Sequence, residues 1–162
     1  MTEKLSHLDE TGRARMVDVS HKDDTERIAI ARGEVVMKPG TFETVRQGMV
    51  KKGDVLAVAQ IAGIMAAKRT SELIPLCHPL PILEIKVDLT LDENLPGVQI
   101  ISSVKANAKT GVEMEALIGV SIFLNNIWDM TKYLEKDEKG QYPSTKITDI
   151  HVIEKRKGDP IE

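Results

Sequence analysis

The chain has 162 residues, a net charge of −3 at neutral pH and only 3% aromatic residues. This length predicts a single domain with its own apolar core. The weak negative charge excludes a global basic field for nucleic acid, and the scarcity of aromatic side chains argues against a sheet that stacks RNA bases. Any anion-binding site must therefore be a local cluster of Lys and Arg.

The cysteine content and the lack of long apolar runs predict the cellular compartment of the protein. Cys77 is the one cysteine, which excludes an internal disulfide and disfavours a cysteine-based zinc site. The first nine residues lack the apolar core of a signal peptide, and no apolar run approaches the ~20 residues of a membrane span. We expect a cytoplasmic protein without a membrane-spanning segment.

The first half of the chain predicts an arm, a strand and two helices. Residues 1–25 are polar and charged and predict a flexible N-terminal arm, in which Met16–Val19 could form a short edge strand. A strand is predicted over 28–37, followed by a helix that Thr41 caps. Lys52-Gly53-Asp54 predicts a stop and a new cap. The apolar residues of the second helix are Val55, Val58, Ala59, Ala62, Met65 and Ala66.

The second half predicts an irregular loop, a hairpin, a long helix and a last strand. Three prolines make residues 74–81 irregular. Strands are predicted over 84–91 and 98–106. Thr110 and Glu113 match a capping box that starts the long helix. A last strand is predicted over 146–154, followed by a polar, mobile tail. The apolar stripe of the long helix is Ala116, Val120, Phe123, Ile127, Met130 and Leu134.

This order of elements predicts an α+β fold. It is the ferredoxin-like β-α-β-β-α-β arrangement, with an antiparallel sheet and helices on one face. We expect three parts: the arm at 1–25, a single catalytic domain at 26–155 and the polar tail at 156–162.

Two pairs of neighbouring residues stand out as candidate site residues: Cys77 with His78, and Glu113 with Glu115. In the extended loop, Cys77 and His78 should point to opposite sides, so they do not predict a thiolate–imidazole pair. Cys77 is predicted to be buried, and a site role for His78 stays open. Glu113 is explained as a helix cap, whereas Glu115 has no such local role. Because they lie two positions apart on a helix, at most one of them is expected to face a given pocket.

Cations near the ends of elements suggest phosphate chemistry. Asp129 and Lys132 are spaced to form a surface ion pair, which is the plainer interpretation. Arg27, Lys52 and Lys68 also lie near element ends, where loops meet. Together with the carboxylates and His78, such cations could hold phosphate oxygens while an acid–base group moves protons.

Several segments together make the sequence similar to a known family. They are Met16-Val17-Asp18-Val19-Ser20, Lys52-Gly53-Asp54, Ile61-Ala62-Gly63, Ala66-Ala67-Lys68-Arg69-Thr70, Leu73-Ile74-Pro75-Leu76-Cys77-His78-Pro79-Leu80, Lys109-Thr110-Gly111-Val112-Glu113-Met114-Glu115-Ala116-Leu117 and Asp129-Met130-Thr131-Lys132. This ordered set covers most of the chain and resembles the cyclic pyranopterin monophosphate synthases of molybdenum cofactor biosynthesis.

The resemblance implies a reaction, a set of site residues and an assembly. The substrate would be (8S)-3′,8-cyclo-7,8-dihydroguanosine 5′-triphosphate, and the products cyclic pyranopterin monophosphate and pyrophosphate, which makes the enzyme a phosphorus–oxygen lyase. Asp129, Lys52 and Lys132 would be catalytic. The implied substrate-binding residues are Arg27, Lys68, Leu76, Cys77, His78, Glu113, Met114 and Glu115. No cofactor or metal is expected, and the family implies a hexamer built as a trimer of dimers.

Helix geometry adds an expectation about the subunits. Glu115 and Asp129 are fourteen positions apart on one predicted helix, which is about 21 Å along its axis at ~1.5 Å per residue. One nucleotide-sized pocket could hold both only if a second subunit supplied one of them, so the site is expected at a subunit interface.

Three alternatives and one departure from the family pattern remain. The family often ends in a Gly-Gly-Lys-Ser-Gly-like tail, whereas this chain has Glu154-Lys155-Arg156-Lys157-Gly158-Asp159. The alternatives are a non-catalytic ferredoxin-like ligand-sensing module, a phosphate-ester or acyl-ester hydrolase, and a purely structural oligomer.

Overall fold

The computed structural model describes residues 7–8 and 11–161. It contains one four-stranded sheet and four helices. The elements are β1 Thr25–Val36, α1 Pro39–Arg46, α2 Val55–Lys68, α3 Thr70–Leu73, β2 Ile82–Asp92, β3 Gly97–Ala108, α4 Glu113–Glu135 and β4 Lys146–Pro160. The strand order is β2-β3-β1-β4, and all neighbours are antiparallel. The predicted α+β, ferredoxin-like arrangement is therefore confirmed.

The core lies between the sheet and α4. Alternate residues of the two central strands are buried, as the pattern with a period of two requires. The predicted apolar stripe of α4 faces them, and only Leu134 at its end is partly exposed. The buried stripe residues are Ala116, Val120, Phe123, Ile127 and Met130.

Two glycines let α2 pack closely on α4. A Cβ atom on Gly63 would lie 2.9 Å from the Gly119 backbone oxygen, closer than van der Waals contact allows. A Cβ on Gly119 would lie 3.5 Å from the Gly63 oxygen and 3.4 Å from the Ala67 Cβ. The small residues therefore set the separation of the two helices, and with it the position of the loop that follows α2.

Several predictions about the first half are wrong in detail. Thr41 is buried inside α1, whose N-cap is Lys38, because Pro39 is favoured in the first turn. Val58 and Met65 of α2 are 44% and 40% exposed, so part of the apolar surface of α2 is not buried in the core of the chain. The short helix α3 is absent from the prediction, and Met16–Val19 is not a strand. Asp54 does cap α2, by accepting the Ala57 N–H.

The predictions of a capping box and of the end of the last strand are also wrong. Helix α4 begins at Glu113 with Val112 at the N-cap position, and no side chain caps it. Val112 is buried, so core packing fixes this start instead of a threonine cap. Strand β4 continues to Pro160, because Lys157 and Pro160 pair with β1. Most of the predicted mobile tail therefore belongs to the sheet.

A buried carboxylate anchors the far end of α4. Glu135 is fully buried, and its oxygens accept the Lys38 backbone N–H at 3.1 and 3.2 Å and the Thr145 hydroxyl. The Lys38 ammonium donates to the carbonyl oxygen of Lys136 at 3.0 Å. These bonds join the start of α1, the end of α4 and the start of β4. None of the helices in the described part of the chain is long and apolar enough to cross a membrane.

Candidate active site

Asp129, in the last third of α4, lies between the side chains of two lysines. The Lys132 ammonium is 2.6 Å from one carboxylate oxygen, and the Lys52 ammonium is 3.1 Å from the other. Lys52 also donates to the Asp129 backbone oxygen at 2.8 Å. The sequence predicts the ion pair with Lys132 but not the contact with Lys52, which lies 77 positions away in the chain. This exposed group of three charges is called the aspartate–lysine cluster below.

The two lysines control the ionisation of Asp129. Hydrogen bonds from Lys132 and then Lys52, with the charges of both, lower the pKa of the Asp129 carboxyl below its ordinary value. The same contact raises the pKa of Lys132. Near neutral pH the cluster is therefore a carboxylate flanked by two ammonium groups, with a net positive charge that suits an anion.

Several local contacts place Lys52 over α4. Val50 is 6% exposed and anchors the turn, which closes through a hydrogen bond from the Gly53 N–H to the Val50 carbonyl oxygen. Gly53 has a φ of 102°, a left-handed conformation that favours glycine. The Tyr133 hydroxyl, one helical turn beyond Asp129, accepts the Lys51 N–H at 3.1 Å. Tyr133 was not predicted as a site residue, because an exposed helical tyrosine has no distinctive spacing.

A cavity of about 410 Å³ lies at the opposite end of α4. This volume is in the range of small-molecule sites. Six of the residues that the family resemblance assigns to substrate line it: Leu76, Cys77, His78, Glu113, Met114 and Glu115. The other lining residues are His7, Val17, Val19, Lys22, Leu80, Thr110 and Gly111. This space is called the α4 cavity below.

Both glutamates border the α4 cavity, so the expectation that at most one would face a given pocket is wrong. The cavity lies at the end of the helix and not along its side, since it is lined from Thr110 through the first turn. Side chains on different sides of that turn can therefore reach it. Glu113 is also not a cap: its carboxylate accepts a hydrogen bond from the Lys155 ammonium at 2.8 Å. Lys155 lies just beyond the predicted last strand, 146–154, so its contact with Glu113 could not be predicted from the sequence.

The two glutamates have opposite pKa shifts. Burial raises the pKa of Glu115, which is 4% exposed, and the charge of Glu113 raises it further. Burial also opposes the ionisation of Glu113, but the hydrogen bond from Lys155 and the backbone outweigh it and lower its pKa. Such separated values are typical of sites that need one acid and one base.

Cys77 is a half-buried wall of the α4 cavity, so it is less buried than the sequence predicts. Burial, and then the charge of Glu115, raise the pKa of the Cys77 thiol. Its thiolate is therefore disfavoured, which agrees with the prediction that Cys77 and His78 do not form a thiolate–imidazole pair.

Arg27 and Lys68 lie beside the α4 cavity and not in it. Arg27 lines a small neighbouring cavity with Glu113 and Lys155, and its guanidinium donates to the backbone oxygens of Ala108 and Lys109 at 3.3 Å. Lys68 lines a separate groove that shares Leu80 with the α4 cavity. The four predicted cations therefore do not converge within one chain: only Lys52 and Lys132 meet.

One continuous helix, α4, holds the aspartate–lysine cluster apart from the α4 cavity. Helix α4 has 23 residues from Glu113 to Glu135 without a break. The separation of Glu115 and Asp129 along it is therefore about 21 Å. Among the residues that the structure describes, no group of three His, Cys, Asp or Glu side chains could hold a metal ion.

Comparisons with known proteins agree in pointing to one family. A family model described as the MoaC family matches residues 16–158. A protein of Pyrococcus furiosus named "Probable cyclic pyranopterin monophosphate synthase" is 54% identical over 154 residues, which cover 95% of this chain and 97% of that protein. A protein of the same name from Archaeoglobus fulgidus is 53% identical over 155 residues, covering 96% and 97% of the two chains.

A third relative matches the chain to a similar extent. The protein named "Cyclic pyranopterin monophosphate synthase" of Heliobacterium modesticaldum is 54% identical over 154 residues, covering 95% of this chain and 92% of its own. Identity at this level over nearly the whole length of both chains, together with the family model, shows that the chain belongs to the MoaC family.

Proposed function

We propose that this chain is a cyclic pyranopterin monophosphate synthase that acts in molybdenum cofactor biosynthesis. It converts (8S)-3′,8-cyclo-7,8-dihydroguanosine 5′-triphosphate to cyclic pyranopterin monophosphate and releases pyrophosphate. The observation that supports this most strongly is the match over nearly full length to relatives that bear this name. The reaction is of the phosphorus–oxygen lyase type.

The aspartate–lysine cluster is our candidate for the catalytic group. When the triphosphate is cleaved, negative charge develops on the departing pyrophosphate, and Lys52 and Lys132 are suited to stabilise it. Bound phosphates would compete with Asp129 for the two ammonium groups. Asp129 would then lose the contacts that lower its pKa, and it would become a better proton acceptor and donor near neutral pH.

The α4 cavity is our candidate for the part of the site that holds the purine-derived base. Its polar groups, Glu113, Glu115 and His78, can exchange hydrogen bonds and protons with a nitrogen-rich ring. Leu76, Cys77 and Met114 supply an apolar wall. Arg27 and Lys68, which lie at its margins, would add positive charge toward the phosphates.

We infer that each complete site contains residues of two subunits. The two groups of proposed site residues lie about 21 Å apart on one rigid helix, too far for one small substrate. Association would also cover the exposed apolar residues of α2, Val58, Ile61 and Met65, which are 44%, 64% and 40% exposed. A hexamer arranged as a trimer of dimers fits this proposal, as does a cytoplasmic location. The flexible arm at 1–25 and the single catalytic domain, extended by β4 to Pro160, likewise stay proposals.

The experiment that tests the function is turnover of the cyclised GTP precursor by the purified chain. We expect pyranopterin to form, and we expect Asp129→Asn to abolish it while the precursor still binds. A ligand-sensing module would bind the precursor without any product, and an ester hydrolase would instead cleave simple phosphate esters. Absence of product from a folded sample with authentic precursor would overturn the proposal.

A further inference from the structure

The N-terminal arm contributes a wall to the α4 cavity. Val17, Val19 and Lys22 all line it, although they belong to a stretch without helix or strand. Residues 16–22 are called the arm segment below, and Val17 contacts His78 of the Pro-rich loop, residues 74–81. No role for this part of the chain follows from its sequence pattern, which is polar and irregular.

Two side chains of the folded domain hold the arm segment. His78 is 2.8 Å from the Val17 carbonyl oxygen through its Nε2 atom, and this contact is partly buried. The Lys109 ammonium donates to the Ser20 carbonyl oxygen at 2.9 Å. Within the segment, the Asp18 carboxylate accepts the Ser20 N–H at 2.8 Å, which closes a tight turn. The contacts tie the segment to the Pro-rich loop through His78 and to the connection between β3 and α4 through Lys109.

The contact with Val17 determines the tautomer of His78. A carbonyl oxygen can only accept a hydrogen bond, so Nε2 must carry the hydrogen. In the neutral imidazole the other nitrogen, Nδ1, then has a free lone pair and is an acceptor. Since Nε2 is occupied by the arm, Nδ1 is the ring nitrogen that remains for a ligand in the cavity.

We propose that the arm segment is part of the substrate site and that the Val17 carbonyl group positions His78 so that Nδ1 accepts a hydrogen bond from an N–H group of a purine-derived base. The inference rests on the proposed function for the identity of the ligand. The chemistry is consistent with the rest of the cavity, where Glu113 and Glu115 supply further acceptors for N–H donors. In this arrangement His78 is a binding residue and the Val17 carbonyl is a positioning group.

The tautomer can be measured directly in the full chain without substrate. Long-range ¹H–¹⁵N spectra at a pH well above the ordinary His pKa of about 6.5 distinguish the two neutral tautomers. The His78 signals are assigned by their loss in a His78→Gln sample. We expect hydrogen on Nε2 and a free Nδ1; hydrogen on Nδ1 would overturn the inference.

Matched variants test whether these contacts hold the arm. Gln can place an amide nitrogen near the position of Nε2 and keep the bond to Val17, whereas the shorter Asn cannot. We therefore expect trypsin to cut after Lys22 faster in His78→Asn than in His78→Gln. Lys109→Met should also speed this cleavage, while Lys86→Met, a similar change on β2, should not. Equal cleavage rates in all four folded variants would contradict the proposal.

The kinetic consequence separates this inference from the proposed function. Loosening the arm by Lys109→Met should raise the KM for the cyclised precursor about fivefold, which is the scale of one lost hydrogen bond. An unchanged KM would count against the arm as part of the site. If the wild-type chain makes no pyranopterin, the proposed function fails, but the tautomer and cleavage experiments still decide whether the arm positions His78.

Discussion

Mixed oligomers test whether two subunits build each site. One chain carries Asp129→Ala and the other Glu115→Ala, and each alone should be inactive. Because α4 is unbroken, the two positions in one subunit lie about 21 Å apart. A site that takes Glu115 from one subunit and Asp129 from its neighbour is intact when each chain supplies its unaltered residue. In a random equimolar mixture this holds for about a quarter of the sites.

A reciprocal mixture makes the test quantitative. Wild-type chain is mixed with a chain that carries both substitutions. Shared sites predict about a quarter of the wild-type activity in both mixtures, whereas sites within one chain predict none in the first and about half in the second. Pyrophosphate release is the assay, and native mass spectrometry confirms that the subunits have exchanged. Zero recovery in the first mixture together with half in the second would refute the shared site.

Three further predictions concern the cluster and the frame that holds it. Lys132→Met removes the main cause of the lowered Asp129 pKa, so a ¹³C titration of that carboxyl should show a higher pKa; an unchanged value would contradict the assignment. Gly63→Ala forces α2 away from α4 and should lower the free energy of unfolding by about 1–3 kcal/mol in thermal denaturation, whereas a neutral effect would show that the helices adjust freely. Glu135→Ala leaves the buried Thr145 hydroxyl and the partly buried Lys38 N–H without their acceptor and should cost about 2–3 kcal/mol in urea denaturation; a loss below about 0.5 kcal/mol would argue against the anchor.

The fold was predictable where one face of an element is buried by the chain itself. The apolar residues that alternate along β2 and form the stripe of α4 match the positions at which the structure buries side chains, because these positions pack against the core. The last strand was predicted over 146–154, but its continuation to Pro160 was not, since β4 is exposed along most of its length and its register shifts at three places against β1. Asp149 has a φ of 57° within it, which interrupts the regular alternation. Beyond residue 154 this edge strand is exposed and polar, so no apolar pattern predicts where it ends.

The candidate site was predictable only in part from spacing. The Asp129–Lys132 pair follows from helix periodicity, but the approach of Lys52 depends on a turn anchored by Val50 and Tyr133. The roles proposed for these residues came from the family resemblance. The apparent capping box misled the prediction for Glu113, because a threonine and a glutamate at that spacing are typical of a cap even where the chain buries Val112 instead.

The most direct test of the central claim is the ratio of the two products. Purified chain is given (8S)-3′,8-cyclo-7,8-dihydroguanosine 5′-triphosphate, and pyrophosphate and cyclic pyranopterin monophosphate are measured in the same sample over time. The proposed reaction predicts that the two form in equal amounts and that Asp129→Asn stops both. Pyrophosphate without pyranopterin would mean simple hydrolysis of the triphosphate, and that result would contradict the assignment as a cyclase.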